Sequence, residues 1–274
     1  MASKLWTNDS GTWRESKKVW INDSGTWRES SKIWINDSGT WRQVFSKATD
    51  DFTTYKISPL STGTYTFDVT GPFPNNTVSI RGTGAGGEGS HYRYSGDAGG
   101  GSSAYIGTSS GTFATITGIS ESVASVKFII PTSTGNQETD SCGNGRDGGD
   151  LEIRFYDGSG GTGTELGNAI IGGGSGGVCT GSAGGTGGSG GTISTSNCTL
   201  SGTYGDGNNG NAGTSSVGGN GGSCPNWGAG GTGGAYDSAG GSGSNFGGAG
   251  GGPGDNRSIT GSGAEGTCYF YWED

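Results

Sequence analysis

The sequence predicts a mostly irregular and β chain. It should open with Trp-rich hairpin repeats, continue through a small sheet, and end in a layered bundle of glycine-rich polyproline II helices with exposed loops. Three observations lead there. The first 47 residues repeat one unit three times, 14 residues apart. Glycine accounts for 65 of the 274 residues and dominates everything after Gly82. Apolar residues make up only 28%, too few for an ordinary core in a chain of this length.

The head, residues 1–47, reads KLWTNDSGTWRES, KVWINDSGTWRES and KIWINDSGTWRQV. Each copy is a hairpin candidate, with Asn-Asp-Ser-Gly as the turn between two short strands. A four-residue loop from Asn8 to Gly11 sets Thr7 opposite Thr12 and Trp6 opposite Trp13, so each unit presents a Trp pair on one face. A lone two-stranded hairpin is marginal in water, and Trp and Arg dominate interface hot spots. Three equal units suggest a partner with three equal surfaces. The docking residues are therefore Trp6, Trp13, Trp20, Trp27, Trp34 and Trp41, with Arg14, Arg28 and Arg42.

Residues 48–81 read as a small β connector: Phe52–Ile57, Gly63–Val69 and Thr77–Arg81, with Tyr65, Phe67 and Val69 alternating and Pro72 and Pro74 as breaks. The aromatic C-terminal segment 264–274 should return to this sheet. Two more strand candidates, Ala124–Ile130 and Asp150–Tyr156, interrupt the glycine region 82–263.

Within that region the runs GGT-GGS-GGT and GA-GGT-GGA show a period of three. That period fits an extended helix of about three residues per turn, which has no internal hydrogen bonds. Its backbone groups must then find partners on neighbouring chains, and missing Cβ atoms let those chains approach. Between the runs sit loops rich in Tyr, Trp, Asn and Ser, the composition of recognition loops. Candidate receptor-contact residues are His91, Tyr92, Arg93, Tyr94, Tyr204, Trp227, Tyr236 and Phe246. Antiparallel tracts alternate direction, so Trp227 and Tyr236, one tract apart, should lie at opposite poles.

Charge excludes some functions. The head carries eight Lys/Arg and five Asp/Glu, and the rest seven against nineteen, so an acidic body of −12 follows a head of +3. An acidic body argues against a nucleic-acid partner. No apolar leader or membrane-length run is visible, so synthesis in a cytosol without membrane insertion is expected. The five cysteines, Cys142, Cys179, Cys198, Cys224 and Cys268, show no CxxC, which makes a zinc site unlikely and free, partly buried thiols the expectation.

Catalytic motifs are absent or weak. Gly82-Thr-Gly-Ala-Gly-Gly87 matches GxGxxG, but the sequence after it cannot start a helix. Gly143–Asp150 loosely echoes a calcium-binding glycine repeat in a single copy and reads as a loop. His91 is the only histidine. No catalytic residue, cofactor or metal is expected.

The threefold W-x-N-D-S-G-T-W-R head followed by GG-x runs resembles the distal adhesin of the long tail fibres of T-even-type bacteriophages, over nearly the whole chain. The resemblance implies a monomeric adhesin on the tip of a homotrimeric tail-fibre protein, one per trimer, at the distal end of the fibre in the virion. It implies a glycine-rich domain of polyglycine II helices whose distal loops bind a host outer-membrane protein such as a porin and determine host range. The six tryptophans match the family's fibre-docking positions, whereas the receptor loops vary among its members. Two other functions fit the sequence less well. Ice binding needs a flat face of small residues and leaves the Trp head unexplained. An enzyme acting on surface glycans lacks a recognisable carboxylate motif.

Overall fold

The computed structural model describes the backbone of the strands between Leu5 and Ser46 with Gly25, and then residues 62–69, 76–92, 96–135, 141–181, 184–255 and 259–271. The chain divides into two units, Met1–Tyr55 and Lys56–Trp272.

In the first unit each sequence repeat is a separate antiparallel hairpin. The pairs are β1 (Leu5–Asp9) with β2 (Thr12–Ser16), β3 (Trp20–Asp23) with β4 (Thr26–Glu29), and β5 (Lys32–Asp37) with β6 (Thr40–Ser46). The register differs from the expectation. Asp9 stands opposite Thr12 and Trp6 opposite Glu15, so the loop is two residues long. Ladder pairing continues as far as the Asp-Thr rung because a glycine follows Ser at the turn, and Gly25 takes φ +91° there. Trp6 and Trp13 are thus two rungs apart instead of directly opposed. Phe52–Ile57, Pro72 and Pro74 lie outside the described residues.

In the second unit the alternating strands build two antiparallel sheets. One has five strands in the order β14 (Ile193–Ser196), β13 (Glu165–Ile171), β12 (Leu151–Tyr156), β11 (Ser125–Ile130) and β7 (Gly63–Asp68). The other has six. Its centre is β8 (Val78–Thr83), paired along one edge with β10 (Ala114–Thr117) and β9 (Tyr105–Ile106) and along the other with β17 (Thr267–Tyr271). The strands β15 (Thr199–Ser201) and β16 (Tyr204–Gly205) extend it. The C-terminal segment thus returns to the strand at 78–83, with Thr267 opposite Thr83.

The sheets face each other. Phe128 of β11 meets Phe270 of β17 edge to face at 4.7 Å, and Phe67 closes on Phe128 at 5.8 Å. Alternate positions of β12 and β8, namely Leu151, Ile153, Phe155, Val78 and Ile80, are buried between them. Gly82 continues that face: a Cβ there would lie 2.8 Å from the Leu151 side chain.

These findings correct the expected fold class. The regular structure of the described residues is two antiparallel sheets, not a helix bundle with a small sheet attached, and no α-helix is present among them. Residues 48–81 do not form one connector, because β7 and β8 belong to different sheets. Most of the missed strands are two to four residues long, and the longest, Glu165–Ile171, carries Gly167 inside it, so overall glycine content hid their alternation.

The glycine tracts run out from the sheets as extended chain and return to them. Backbone bonds hold them together. The N–H of Ala85 donates to Gly149, that of Gly86 to Ala264 and that of Gly87 to Gly101, at 2.9, 3.0 and 2.9 Å. The next three donors, Glu88, Gly89 and Ser90, repeat the cycle onto Arg146, Gly261 and Ala98. Side-chain oxygens serve some of the remaining donors. Asn144, Asp147 and Asp150 accept from the amides of Cys179, Gly176 and Gly173 at 3.1, 2.8 and 2.8 Å. The Gly143–Asp150 run that echoed a calcium loop is therefore a backbone-satisfying ladder.

Candidate functional site

Because tracts leave the sheets and come back, their turns fall at two poles. At the sheet pole the loops are tied down by large side chains. The indole N–H of Trp227 donates to the Gly107 carbonyl at 3.1 Å, and its ring packs on Phe246 and Tyr269 at 6.4 and 6.3 Å. The Arg81 guanidinium stacks 3.8 Å from the Tyr269 ring centroid and donates to the Thr108 and Ser109 carbonyls. Ser109 Oγ donates to the Asn226 carbonyl at 2.6 Å.

The opposite pole is a continuous chain of turns. His91 and Gly143 exchange backbone bonds at 3.0 Å. The neighbouring Cys142 is disulfide-bonded to Cys179. Val178 pairs with Thr186, and Gly213 donates to the Gly185 carbonyl. Thr214 donates to Val217, Asp255 to Ser216, and Asp237 to Asp255. Three of the four exposed large hydrophobic residues among those described stand on this chain of turns: Val178 at 41%, Val217 at 46% and Tyr236 at 63% exposure. At the glycines of the tracts behind them an added Cβ would meet neighbouring backbone, as at Gly177 (2.6 Å from the Ala98 carbonyl oxygen) and Gly213 (2.5 Å from that of Gly96), so the turns are carried on closely packed backbone.

The structure sorts the sequence candidates. Tyr236 is exposed and Tyr92 half-buried at the loop pole. His91 is there too, but buried; burial, and then the charge of Arg146, lower its pKa. Arg93 and Tyr94 lie outside the described residues. Trp227, expected among the recognition residues, is instead buried at the sheet pole, and Phe246 is half-buried against it. Trp227 and Tyr236 thus occupy opposite poles. Tyr204, 47% exposed, belongs to the sheet pole, where it pairs with Ile106. For the docking tryptophans and arginines of the head the backbone register alone is described.

Sequence reasoning passed over Val178, Val217 and the disulfide, and its expectation of free cysteines is corrected for Cys142 and Cys179. A signal was available: each valine is a lone β-branched residue at the end of a glycine or serine run, where a tract must turn.

Two buried carboxylates stand just inside the loop pole. Glu88 is fully buried, accepting from the Thr260 hydroxyl at 2.6 Å and the Arg146 amide at 3.2 Å. Asp97 is buried and accepts from the Ser90 hydroxyl at 3.3 Å. Loss of water pushes its carboxyl up to about 7, against the opposing pull of the Ser90 hydroxyl and the Tyr92 backbone. A cleft of about 410 Å³ opens at the sheet pole between Ile193, Thr195, Leu200 and Tyr204. Cys198 borders it, but its Sγ donates to the Asn168 carbonyl and burial raises its pKa, which disfavours the nucleophilic thiolate. Among the described residues no group of three His, Cys, Asp or Glu is placed to hold a metal ion, and no helix is long and apolar enough to cross a membrane. Comparison with protein-family models and with curated proteins finds no match.

Proposed function

We propose that this chain is a receptor-recognising adhesin at the tip of a viral tail fibre. On this reading the Trp-rich head docks on a homotrimeric fibre protein, and the loop pole binds a bacterial outer-membrane protein of the porin type. The observation that carries it is the contrast between the poles. At one, Trp227, Arg81 and Tyr269 pin the loops to the sheet and, among the described large hydrophobic residues, only Tyr204 stands exposed beside the cleft, while the other exposes Val178, Val217 and Tyr236 on successive turns bonded to one another. Exposed apolar side chains on a stiff, otherwise polar surface mark a protein contact, and preorganised loops bind with less entropy loss. The head supports the second half of the reading, because its three equal hairpins present equivalent positions to a partner with threefold symmetry.

The test uses the full chain and outer-membrane vesicles from a panel of Gram-negative bacteria. Immobilised protein should capture vesicles from at least one host. A variant with Val178, Val217 and Tyr236 replaced by Ser should lose that capture while keeping its melting temperature. Equal capture by both proteins, or none from any host, rejects the reading. Mixing the chain with the neighbouring fibre protein should give one adhesin per trimer by mass, and replacing Trp20 and Trp27 with Ala should abolish the complex.

A further inference from the structure

One covalent bond crosses the loop pole. Cys142 and Cys179, 37 residues apart in sequence, are joined with their Cα atoms 5.7 Å apart. Cys142 precedes Gly143, which pairs with His91, and Cys179 follows the exposed Val178, which pairs with Thr186. The amide of Cys179 donates to Asn144 Oδ1 at 3.1 Å. The bond therefore fastens together the outer ends of two neighbouring tracts, 143–150 and 172–178, beside the apolar surface. The other three cysteines are free. Cys224 and Cys268 are buried among the sheet-pole elements, and Cys198 is half-buried. Burial pushes the Cys224 thiol up to about 12, and it raises Cys268 and Cys198 as well. At neutral pH these three hold little thiolate to compete in exchange.

Such a bond persists in oxidising surroundings and is opened by reducing ones. We propose that the Cys142–Cys179 bond is a redox-set lock on the loop pole: the reduced chain has a looser surface around Val178, and oxidation stiffens it. The use of that lock in host recognition rests on the adhesin reading; the lock itself does not. The oxidant is a low-molecular-weight disulfide. One cysteine thiolate attacks it, expels a small thiolate and forms a mixed disulfide. The second cysteine thiolate attacks the protein sulfur of that intermediate and expels the other small thiolate. Two protein thiols lose two protons and two electrons, and the small disulfide leaves as two thiols.

The experiment compares the full chain treated with oxidised glutathione, the same chain reduced with a phosphine, and Cys142→Ser/Cys179→Ser. Alkylation after denaturation should label three cysteines in the oxidised chain, Cys198, Cys224 and Cys268, and all five in the reduced chain. Amide hydrogen exchange at Val178 and Thr186 should be about tenfold faster in the reduced chain and in the double variant, with the amides of Phe128 and Ile153 unchanged as the check on folding. Labelling of all five cysteines after oxidation overturns the proposal. So does exchange at Val178 and Thr186 that ignores the redox state. Neither readout needs a receptor, so vesicle capture that fails in every redox state counts against the adhesin reading and leaves the lock standing.

Discussion

Gly100 tests whether bare backbone holds the glycine region together. It is buried, its N–H donates to Gly250 at 2.9 Å, and its carbonyl accepts from Gly222 at 2.9 Å. A Cβ on Gly100 would stand 2.5 Å from the Gly87 carbonyl oxygen and 2.6 Å from that of Glu88. Ordinary contact begins near 3.4 Å, so one tract must retreat by about 0.9 Å. Those two oxygens accept from Gly250 at 2.9 Å and Gly177 at 2.8 Å, and the retreat stretches both bonds. Neither neighbour is a flexible side-chain tip, so relief must come from backbone. Overpacking costs about 1–3 kcal/mol, and each weakened buried bond about 1 more. Alanine returns only about 0.4–1 kcal/mol by restricting the unfolded chain. The net expectation for Gly100→Ala is a loss of about 2–4 kcal/mol, or roughly 5–15 °C in melting temperature for a unit of this size. Ser189→Ala is the control, because Ser189 is exposed and should shift stability by less than about 0.5 kcal/mol. Differential scanning calorimetry reads both. Should Gly100→Ala melt with the wild type, backbone close-packing is not what holds these tracts, and the reasoning fails.

Trp227→Phe and Tyr236→Ala should separate the poles. Losing the indole bond to Gly107 should cost about 1–2 kcal/mol of stability and leave vesicle capture unchanged, whereas Tyr236→Ala should weaken capture at least about tenfold with an unchanged melt. The opposite pattern would reassign the recognition surface. Asp97 sets a pH dependence. Its folded pKa, about 7, exceeds its ordinary 3.8, so its contribution is fully present below about pH 4 and is lost as pH rises through about 7. Asp97→Asn should therefore flatten the melting profile between pH 4 and 8, and a profile parallel to the wild type would show that burial does not hold the proton. His91 has the opposite sign. Its pKa is lowered on folding, so its contribution is fully present above its ordinary value of 6.5 and is lost as pH falls below that through the lower folded value, and His91→Gln should reduce this loss of stability on acidification as followed by thermal melts.

Local chemistry alone determined several features of this protein. The repeated Asn-Asp-Ser-Gly turns specify three hairpins, because a glycine at the turn and β-formers on either side favour local antiparallel pairing. Strict alternation in Leu151–Tyr156 announces a strand half buried against something. Lone side chains at the ends of glycine runs mark the turns, and alternating tract direction was enough to separate Trp227 from Tyr236. The tertiary structure decided the rest. Hairpin register depends on where cross-strand pairing stops, and it is shifted by two residues from what the turn residues suggest, with Thr12 opposite Asp9 instead of Thr7. The assignment of β7 and β8 to different sheets depends on which face each can bury, and Phe128 settles it only by meeting Phe270 from the other end of the chain. The partners of Cys142 and of each tract amide are likewise long-range. Glycine has no side chain to encode its neighbour, so a sequence rich in it states that chains can approach and leaves the choice of partner to packing.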